Sequence, residues 1–352
     1  MHKRILVTGG SGFIGSNLIR YLLENQDYQI LNIDKLCFPG SIHTTADFSN
    51  LENYRFVHMD ICDTQKLTEV FSDFQANAVI HLAAESHVDR SIDSPRSFVD
   101  TNVVGTFCLL EAFRQYYKLA NTEQKQNMRF IHVSTDEVYG SLGIDELPFD
   151  EKHPYQPSSP YSATKAASDH LVNAWRSTYQ LPLIITNCSN NYGPFQFPEK
   201  LIPLIINKAI AGESLPVYGE GANVRDWLYV ADHVSALCCV LDKGELGQTY
   251  NIGGNSERSN LTVVNCICEI LDELLPAKHP YSDLISFVDD RPGHDLRYAI
   301  NNSKINLDLG WSAKENFDDG LRKTISWYIN NEQWCEDVSS GVYSGQRLGL
   351  AT

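Results

Sequence analysis

Residues 4–15 read RILVTGGSGFIG, an apolar run followed by glycines at 9, 10, 12 and 15, after which an apolar pattern of helical period continues through Leu23. Arg4–Thr8 has the composition of a short buried strand, so the glycines fall at a strand-to-helix turn. There they permit a tight bend and close backbone approach, and the N–H groups opening the helix face a pyrophosphate. Glycine spacing alone would be weak evidence; the strand before it and the helix after it decide the fold. The next strand, Gln29–Ile33, ends at Asp34, roughly 20 residues beyond the glycines, where a carboxylate accepts from a ribose hydroxyl. An acid there repels a 2′-phosphate, which favours NAD over NADP; Lys35 works against that preference. Strand Tyr54–His58 leads to Asp60 and Ile61, an acid for the adenine amino group and an aliphatic side chain for its ring. Strand Ala78–Ala83 leads to Ser86, placed for nicotinamide or sugar, while His81 and His87 are given no role. With a helix over Val99–Tyr117 and a strand over Arg129–Ser134, the alternation predicts an α/β fold with a doubly wound parallel sheet.

Two further stretches carry the chemistry. Val133–Gly140, VSTDEVYG, places Asp136 and Glu137 where a parallel sheet offers its loops to a ligand. In Tyr161–Lys165, YSATK, Pro160 suits the first helical turn and Ser158 or Ser159 its cap. Tyr161 and Lys165 then share one helix face, and a phenol beside an ammonium is expected to titrate below its free value of ~10.

The 352 residues are 43% hydrophobic, enough for one large core or two modest ones, and the net charge of −16 disfavours nucleic acid and anionic membranes. Nothing approaches the ~20 apolar residues of a membrane span. The nine cysteines are scattered without a Cys-x-x-Cys, so neither disulfides nor a metal is expected, and the chain is read as cytoplasmic.

TGGSGFIG, LAAESHVDRSI, STDEVYG, YSATK, NCSNNYGPFQFPEKLIP, PVYGEGANVRDWLYV, YNIGG and DRPGHDLRY together resemble the nucleotide-sugar branch of the extended short-chain dehydrogenases. The likeness is strongest to its 4,6-dehydratases acting on dTDP-glucose, and runs from residue 4 to the closing RLGL. It implies a Rossmann-type NAD-binding domain over 1–190, with a smaller C-terminal α/β domain over 191–352 that holds the nucleotide sugar and returns some elements to the first. The cofactor set it implies is Gly9, Gly12, Phe13, Ile14, Gly15, Asp34, Lys35, Asp60, Ile61, Leu82, Ala83, Ala84, Ser86, Thr101, Tyr161, Lys165 and Asn191. For the sugar nucleotide it implies Ser86, Thr135, Asn190, Lys200, Leu201, Pro216, Tyr218, Arg225, Asn260, Arg291 and His294. Arg225 and Arg291 suit a diphosphate by their fork geometry, and Tyr218 a base.

The implied reaction begins with oxidation at carbon 4, where Tyr161 takes the hydroxyl proton and Thr135 fixes the hydroxyl. Glu137 then removes the carbon 5 proton as base, and Asp136 protonates the leaving 6-hydroxyl as acid. That last role requires a raised Asp136 pKa, through burial or the Glu137 charge. The rivals are a UDP-sugar 4-epimerase of the same branch, which needs no carboxylate pair for elimination, a decarboxylase, which calls for a group to hold a sugar carboxylate where the catalytic motifs add no arginine, and a silent NAD-binding scaffold. The resemblance also implies a homodimer through the helices Thr101–Tyr117 and Tyr161–Tyr179, which carry Phe107, Phe113, Trp175 and Tyr179. Two features depart from the family. Cys37–Asn50 replaces a short loop after the ribose-binding strand, which bears on cofactor affinity, and Thr164 stands where Ser is usual.

Overall fold

The computed structural model describes residues 3–24, 28–37 and 40–340. Phe38 and Pro39 of the unusual loop and the closing RLGL lie outside these residues. The main sheet comprises β1 (Lys3–Thr8), β2 (Tyr28–Asp34), β3 (Tyr54–His58), β4 (Ala78–His81), β5 (Arg129–Thr135) and β6 (Leu183–Cys188). Beyond them lie β7 (Asn190–Tyr192), β8 (Leu215–Tyr218), β9 (Val224–Tyr229), β10 (Thr249–Ile252), β11 (Glu257–Ser259) and β12 (Ile285–Val288). The seven-stranded order is β10-β6-β5-β4-β1-β2-β3, and every pairing in it is parallel. β10 thus returns to the first sheet although it follows residue 190.

Both faces of this sheet are buried, and the strand residues divide between them with period two. Ile5, Val7, Ile30, Ile80, Ile131 and Ile184 meet the helices Phe13–Leu23 and Val230–Lys243 on one face. Leu6, Leu31, Ile33, Val79, Phe130 and Ile185 meet the helices Thr64–Phe74, Thr106–Leu119 and Pro160–Tyr179 on the other. Two smaller sheets, β11-β9-β7 and β12-β8, share a separate core with the helices Leu201–Ile210, Asn260–Leu274 and Phe317–Asn330.

Strands β1, β2 and β5 differ from the sequence reading by a residue at one or both ends, and two further boundaries differ in ways that bear on the site. β4 stops at His81 rather than Ala83, because the chain lifts over the glycine turn: a Cβ on Gly9 would lie 2.6 Å from the Ala83 nitrogen. The helix expected over Val99–Tyr117 belongs to a helical stretch from Pro95 to Leu119, with a π-type segment at Val99–Gly105. That segment presents Asn102, whose side chain bonds both the N–H and the C=O of Glu85 and the Thr164 hydroxyl. Thr164 in turn donates to the Tyr161 carbonyl, a bond that a Ser hydroxyl would make equally well.

Candidate active site

The C-terminal ends of the parallel strands open into one cleft of about 280 Å³. Its floor is the glycine turn. Gly9 has φ +73°, and a Cβ on Gly15 would sit 2.2 Å from the Gly9 oxygen, so only glycine admits this approach. Helix Phe13–Leu23 starts at Gly12 without a side-chain cap, which leaves its first N–H groups open to a ligand anion. Asp34 lines the cleft with its carboxylate held by the N–H groups of Ser11 (3.0 Å) and Leu36 (2.8 Å). The Lys35 ammonium bonds the Thr101 hydroxyl (3.1 Å) and faces Asp60 (3.5 Å). A bare helix start, a fixed carboxylate and the apolar walls Ile61, Leu82, Ala83 and Ala84 fit a dinucleotide.

The cleft lining includes Gly9, Gly12, Phe13, Ile14, Gly15, Asp34, Lys35, Ile61, Leu82, Ala83, Ala84, Ser86, Thr101, Thr135, Asp136, Glu137, Tyr161, Lys165, Asn190, Asn191 and Lys200. It does not include Asp60, Leu201, Pro216, Tyr218, Arg225, Asn260, Arg291 or His294. Sequence reasoning missed Cys37, Gly40, Met59, Cys188, Ser189, Gln196 and Phe197, which line the same cleft. Cys37 and Gly40 belong to the unusual loop. Its 3-10 helix Ile42–Phe48 is pinned by Arg20, which bonds Asp47 (2.9 Å) and the Thr44 carbonyl (2.6 Å) and stacks on Phe195 (3.7 Å).

At the reacting end, Ser159 caps the helix Pro160–Tyr179 and completes a capping box with Ser162. Tyr161 and Lys165 project from that helix toward the end of β5. Here the structure differs from the sequence expectation. The Lys165 ammonium donates to the Val133 carbonyl (2.8 Å), and burial, then the Glu137 charge, push the Tyr161 phenol above its ordinary value. Asp136 and Glu137 follow Thr135, whose hydroxyl caps the short turn Asp136–Tyr139 by accepting from the Glu137 N–H (3.3 Å). Burial raises the Asp136 carboxyl well above the usual range, Glu137 and Asp226 add to the rise, and Arg225 opposes it. Glu137 is raised by burial too, but Arg291, Arg225 and Lys200 all pull it back. The expected upward shift of Asp136, by burial and by its neighbour, is therefore present.

Lys200, Asn190 and Asn191 of the lining and the residues beyond the cleft together form a polar, charged rim. Lys200, at the start of the helix Leu201–Ile210, donates to the Ser86 carbonyl (2.9 Å). Arg291 pairs with Asp89 (2.7 Å), and the Tyr218 hydroxyl reaches the other oxygen of the same carboxylate (3.3 Å). His294 holds Asp290 (2.6 Å). Arg225 is not a free fork: its guanidinium donates to the Val224 (2.7 Å) and Asp295 (3.0 Å) carbonyls and lies over the Tyr298 ring. Asn260 opens the helix Asn260–Leu274 with its N–H on the Asn223 carbonyl (3.0 Å), and Pro216 lies within β8 opposite Ser286. Asn191 Oδ1 accepts from His233 Nδ1 (2.9 Å), whereas Asn190 Oδ1 is buried without a partner among the described residues. Glu199, joined to Arg90 (3.0 Å), and Asp89 complete the rim. Asp89 and Asp295 lay inside motifs that sequence reasoning had singled out, and only their long-range partners reveal what they do.

A sequence model of the family described as GDP-mannose 4,6 dehydratase matches residues 6–324. A dTDP-glucose 4,6-dehydratase of Escherichia coli is 54% identical over 359 residues, 99% of each chain. A probable dTDP-glucose 4,6-dehydratase of Sinorhizobium fredii is 56% identical over 347 residues, again 99% of each. The crystal structure of a dTDP-glucose 4,6-dehydratase from Bacillus anthracis in complex with NAD superposes with a TM-score of 0.85 at 44% identity, covering 96% of this chain and 99% of that one. Likeness over the whole length, with the glycine turn, the acidic pair and the Tyr-Lys helix meeting in one cleft, leads to a single conclusion: the chain belongs to the dTDP-glucose 4,6-dehydratase family.

Proposed function

We propose that this chain converts dTDP-glucose to dTDP-4-keto-6-deoxyglucose and water with NAD as cofactor. One observation carries the reading: buried Asp136 and half-buried Glu137 line, with Tyr161, the cleft that also holds the dinucleotide turn. When bound, NAD supplies a reversible hydride acceptor at the sugar ring. Tyr161 takes the proton of the 4-hydroxyl, and Thr135 orients that hydroxyl. Once carbon 4 is a ketone, the carbon 5 proton is acidic and Glu137 removes it. Asp136, kept protonated by its surroundings, delivers its proton to the 6-hydroxyl, which leaves as water. Lys200, Arg225 and Arg291 supply positive charge for the diphosphate against the net charge of −16, and Arg291 reaches it by exchanging or sharing its Asp89 bond.

An epimerase of the same branch has no use for an acid–base pair next to the tyrosine, a decarboxylase calls for a cation on a sugar carboxylate that the catalytic motifs do not add, and a silent scaffold has no use for an intact Tyr161 and Lys165. In this reading, residues up to about 190 hold the cofactor and those after it mainly the sugar nucleotide. The chain is proposed to act as a cytoplasmic homodimer. Phe107 and Tyr179 remain 42% and 43% exposed on adjoining helices, with Trp175 between them, and a symmetric partner would cover that face. Phe113 takes no part in it, being buried against Phe71 and Phe130. Among the described residues no helix is long and apolar enough to cross a membrane.

The test is incubation with dTDP-glucose and, separately, UDP-glucose in D₂O, with mass and NMR analysis of the sugar. Water loss with one deuterium at carbon 5 and a methyl at carbon 6, from dTDP-glucose, is the expected result. A galactose product without mass change would establish the epimerase instead.

A further inference from the structure

Behind the catalytic helix lies a second polar cluster that the reaction scheme leaves unused. Asp169 follows Tyr161 and Lys165 at the same helical spacing, so the three share one face. Its side chain is fully buried. Four groups from three other segments converge on this carboxylate. Ser134 Oγ donates to it at 2.8 Å, Tyr155 donates at 3.0 Å, and Asn187 Nδ2 lies at 3.5 Å. His132 Nε2 stands 3.1 Å from its second oxygen. Asn187 also donates to the Thr135 carbonyl (3.1 Å), and the Val133 carbonyl between His132 and Ser134 accepts from Lys165. A single carboxylate thereby grips the last residues of β5, the end of β6 and the Tyr-Lys helix, immediately before Thr135, Asp136 and Glu137.

We propose that Asp169 is a positioning residue: standing one helical turn beyond Lys165, its carboxylate is the counter-charge to that ammonium and fixes the Tyr161–Lys165 helix against the strand end bearing the acid–base pair. This rests on the reading that Tyr161 acts on the sugar hydroxyl. The charge argument follows from the groups around it. Burial pushes Lys165 toward its neutral form, and Asp169 is the largest influence holding the proton on it. The other groups facing the cluster are uncharged at neutral pH. Burial and the Lys165 charge press His132 down, and His81 beside it is pressed down as well. Tyr155 and Tyr139 are pushed up, and the Cys188 thiol rises to about 12. The helical stretch above offers Asn102 and Thr106, while its charged residues Glu111 and Arg114 pair with each other (2.7 Å) and meet Trp175 and Tyr179 farther along the catalytic helix. Asp136 and Glu137 sit on the Tyr161 side and raise its phenol. A neutral Lys165 would remove a positive charge one helical turn from the Tyr161 phenol.

The experiment compares kcat and KM for dTDP-glucose from pH 6 to 10 in the full-length wild type and in Asp169→Asn. Asparagine keeps the size and one acceptor of the site and removes its charge, and thermal unfolding checks that the variant is folded. Lys165 should then lose its proton at lower pH. The alkaline limb of the kcat profile moves down by about one unit, kcat falls at least tenfold near neutrality, and KM stays within threefold. A profile parallel to wild type, lowered uniformly or not at all, overturns the proposal, because a merely structural residue would leave the limb in place. Should the asparagine variant fail to fold, Asp169→Glu carries the test. The charge is retained there, so the limb stays within 0.3 units of wild type even if kcat falls; a downward shift overturns the proposal. Wild-type protein inactive on dTDP-glucose would remove the functional reading itself, whereas an active wild type with an unmoved limb removes only the role of Asp169.

Discussion

Replacing Asp136 by asparagine separates what this residue does for the reaction from what it does to the fold. An amide of nearly the same shape cannot deliver a proton to the leaving 6-hydroxyl. Loss of a positioned general acid costs about 10³ in rate, or ~4 kcal/mol of barrier. Glu137 remains, and without the adjacent charge that raises Asp136 the two carboxyls no longer compete for ionisation. Proton removal at carbon 5 therefore continues while water loss stalls. In D₂O the variant should place deuterium at carbon 5 of sugar that has not dehydrated, and product formation should fall about a thousandfold by NMR. Stability should move the opposite way. Burial, Glu137 and Asp226 lift the folded-state pKa of Asp136 above its unfolded value of ~3.9. A carboxyl raised in this sense stabilises the fold fully below the unfolded value, and that contribution is lost as pH climbs through the folded value. Each unit of the shift is worth ~1.4 kcal/mol, or about 2 °C in Tm for a chain of this length. Asp136→Asn should thus melt higher than wild type at pH 8, with the difference closing toward pH 4. A variant that keeps more than a tenth of kcat, or that loses carbon 5 exchange together with water loss, would refute the assignment of acid to Asp136 and base to Glu137.

Gly15→Ala would place a Cβ 2.2 Å from the Gly9 oxygen and 2.7 Å from Gly10 Cα, both backbone; about 2 kcal/mol of stability and the retention of NAD through purification should be lost together, as unfolding and absorbance of the isolated protein would record. Arg291→Ala strands the buried Asp89 carboxylate and removes a proposed diphosphate ligand. It should raise the calorimetric Kd for dTDP-glucose at least tenfold, leave the Kd for NAD within twofold, and cost about 3 kcal/mol of stability. Phe107→Glu puts a charge on the half-exposed aromatic face of the paired helices and should shift sedimentation from twice the chain mass to once, with little change in single-chain stability.

What the sequence made legible was whatever follows from local rules. The glycines at 9, 12 and 15, the carboxylate at Asp34 and the helix bearing Tyr161 and Lys165 are each set by a strand end or a helix start, and all line one cleft. Asp89 was not legible, because its partner Arg291 lies 202 residues away in sequence. Glu199 was hidden for the same reason, since it meets Arg90 across 109 residues. Met59, Gln196 and Phe197 line the cleft only because the fold carries them there. The Lys165 pairing was misjudged from spacing alone. One helical turn brings the ammonium near the phenol, but the nearest strong acceptor is the Val133 carbonyl, which β5 turns toward the helix.

The two neighbouring carboxyls raise a question that adjacency cannot answer: which is the acid. Burial lifts both, Asp136 lying wholly inside and Glu137 partly open to the cleft, and a symmetric environment would leave their roles undetermined. Their neighbours differ in sign. Beyond burial, Asp136 feels chiefly carboxylates, Glu137 and Asp226, with Arg225 as its cationic relief. Glu137 feels three cations, Arg291, Arg225 and Lys200, against Asp295. Those cations come from segments after residue 190, the same segments proposed to grip the diphosphate. A bound diphosphate would take up part of their positive charge, weakening their hold on Glu137 and making it a stronger base once substrate is in place. Asp136 keeps its proton by burial and by the charge on Glu137, so ionisation of the base reinforces protonation of the acid. The division of labour is therefore written less in the Asp-Glu dipeptide than in the rim of arginine and lysine that the second half of the chain folds over it.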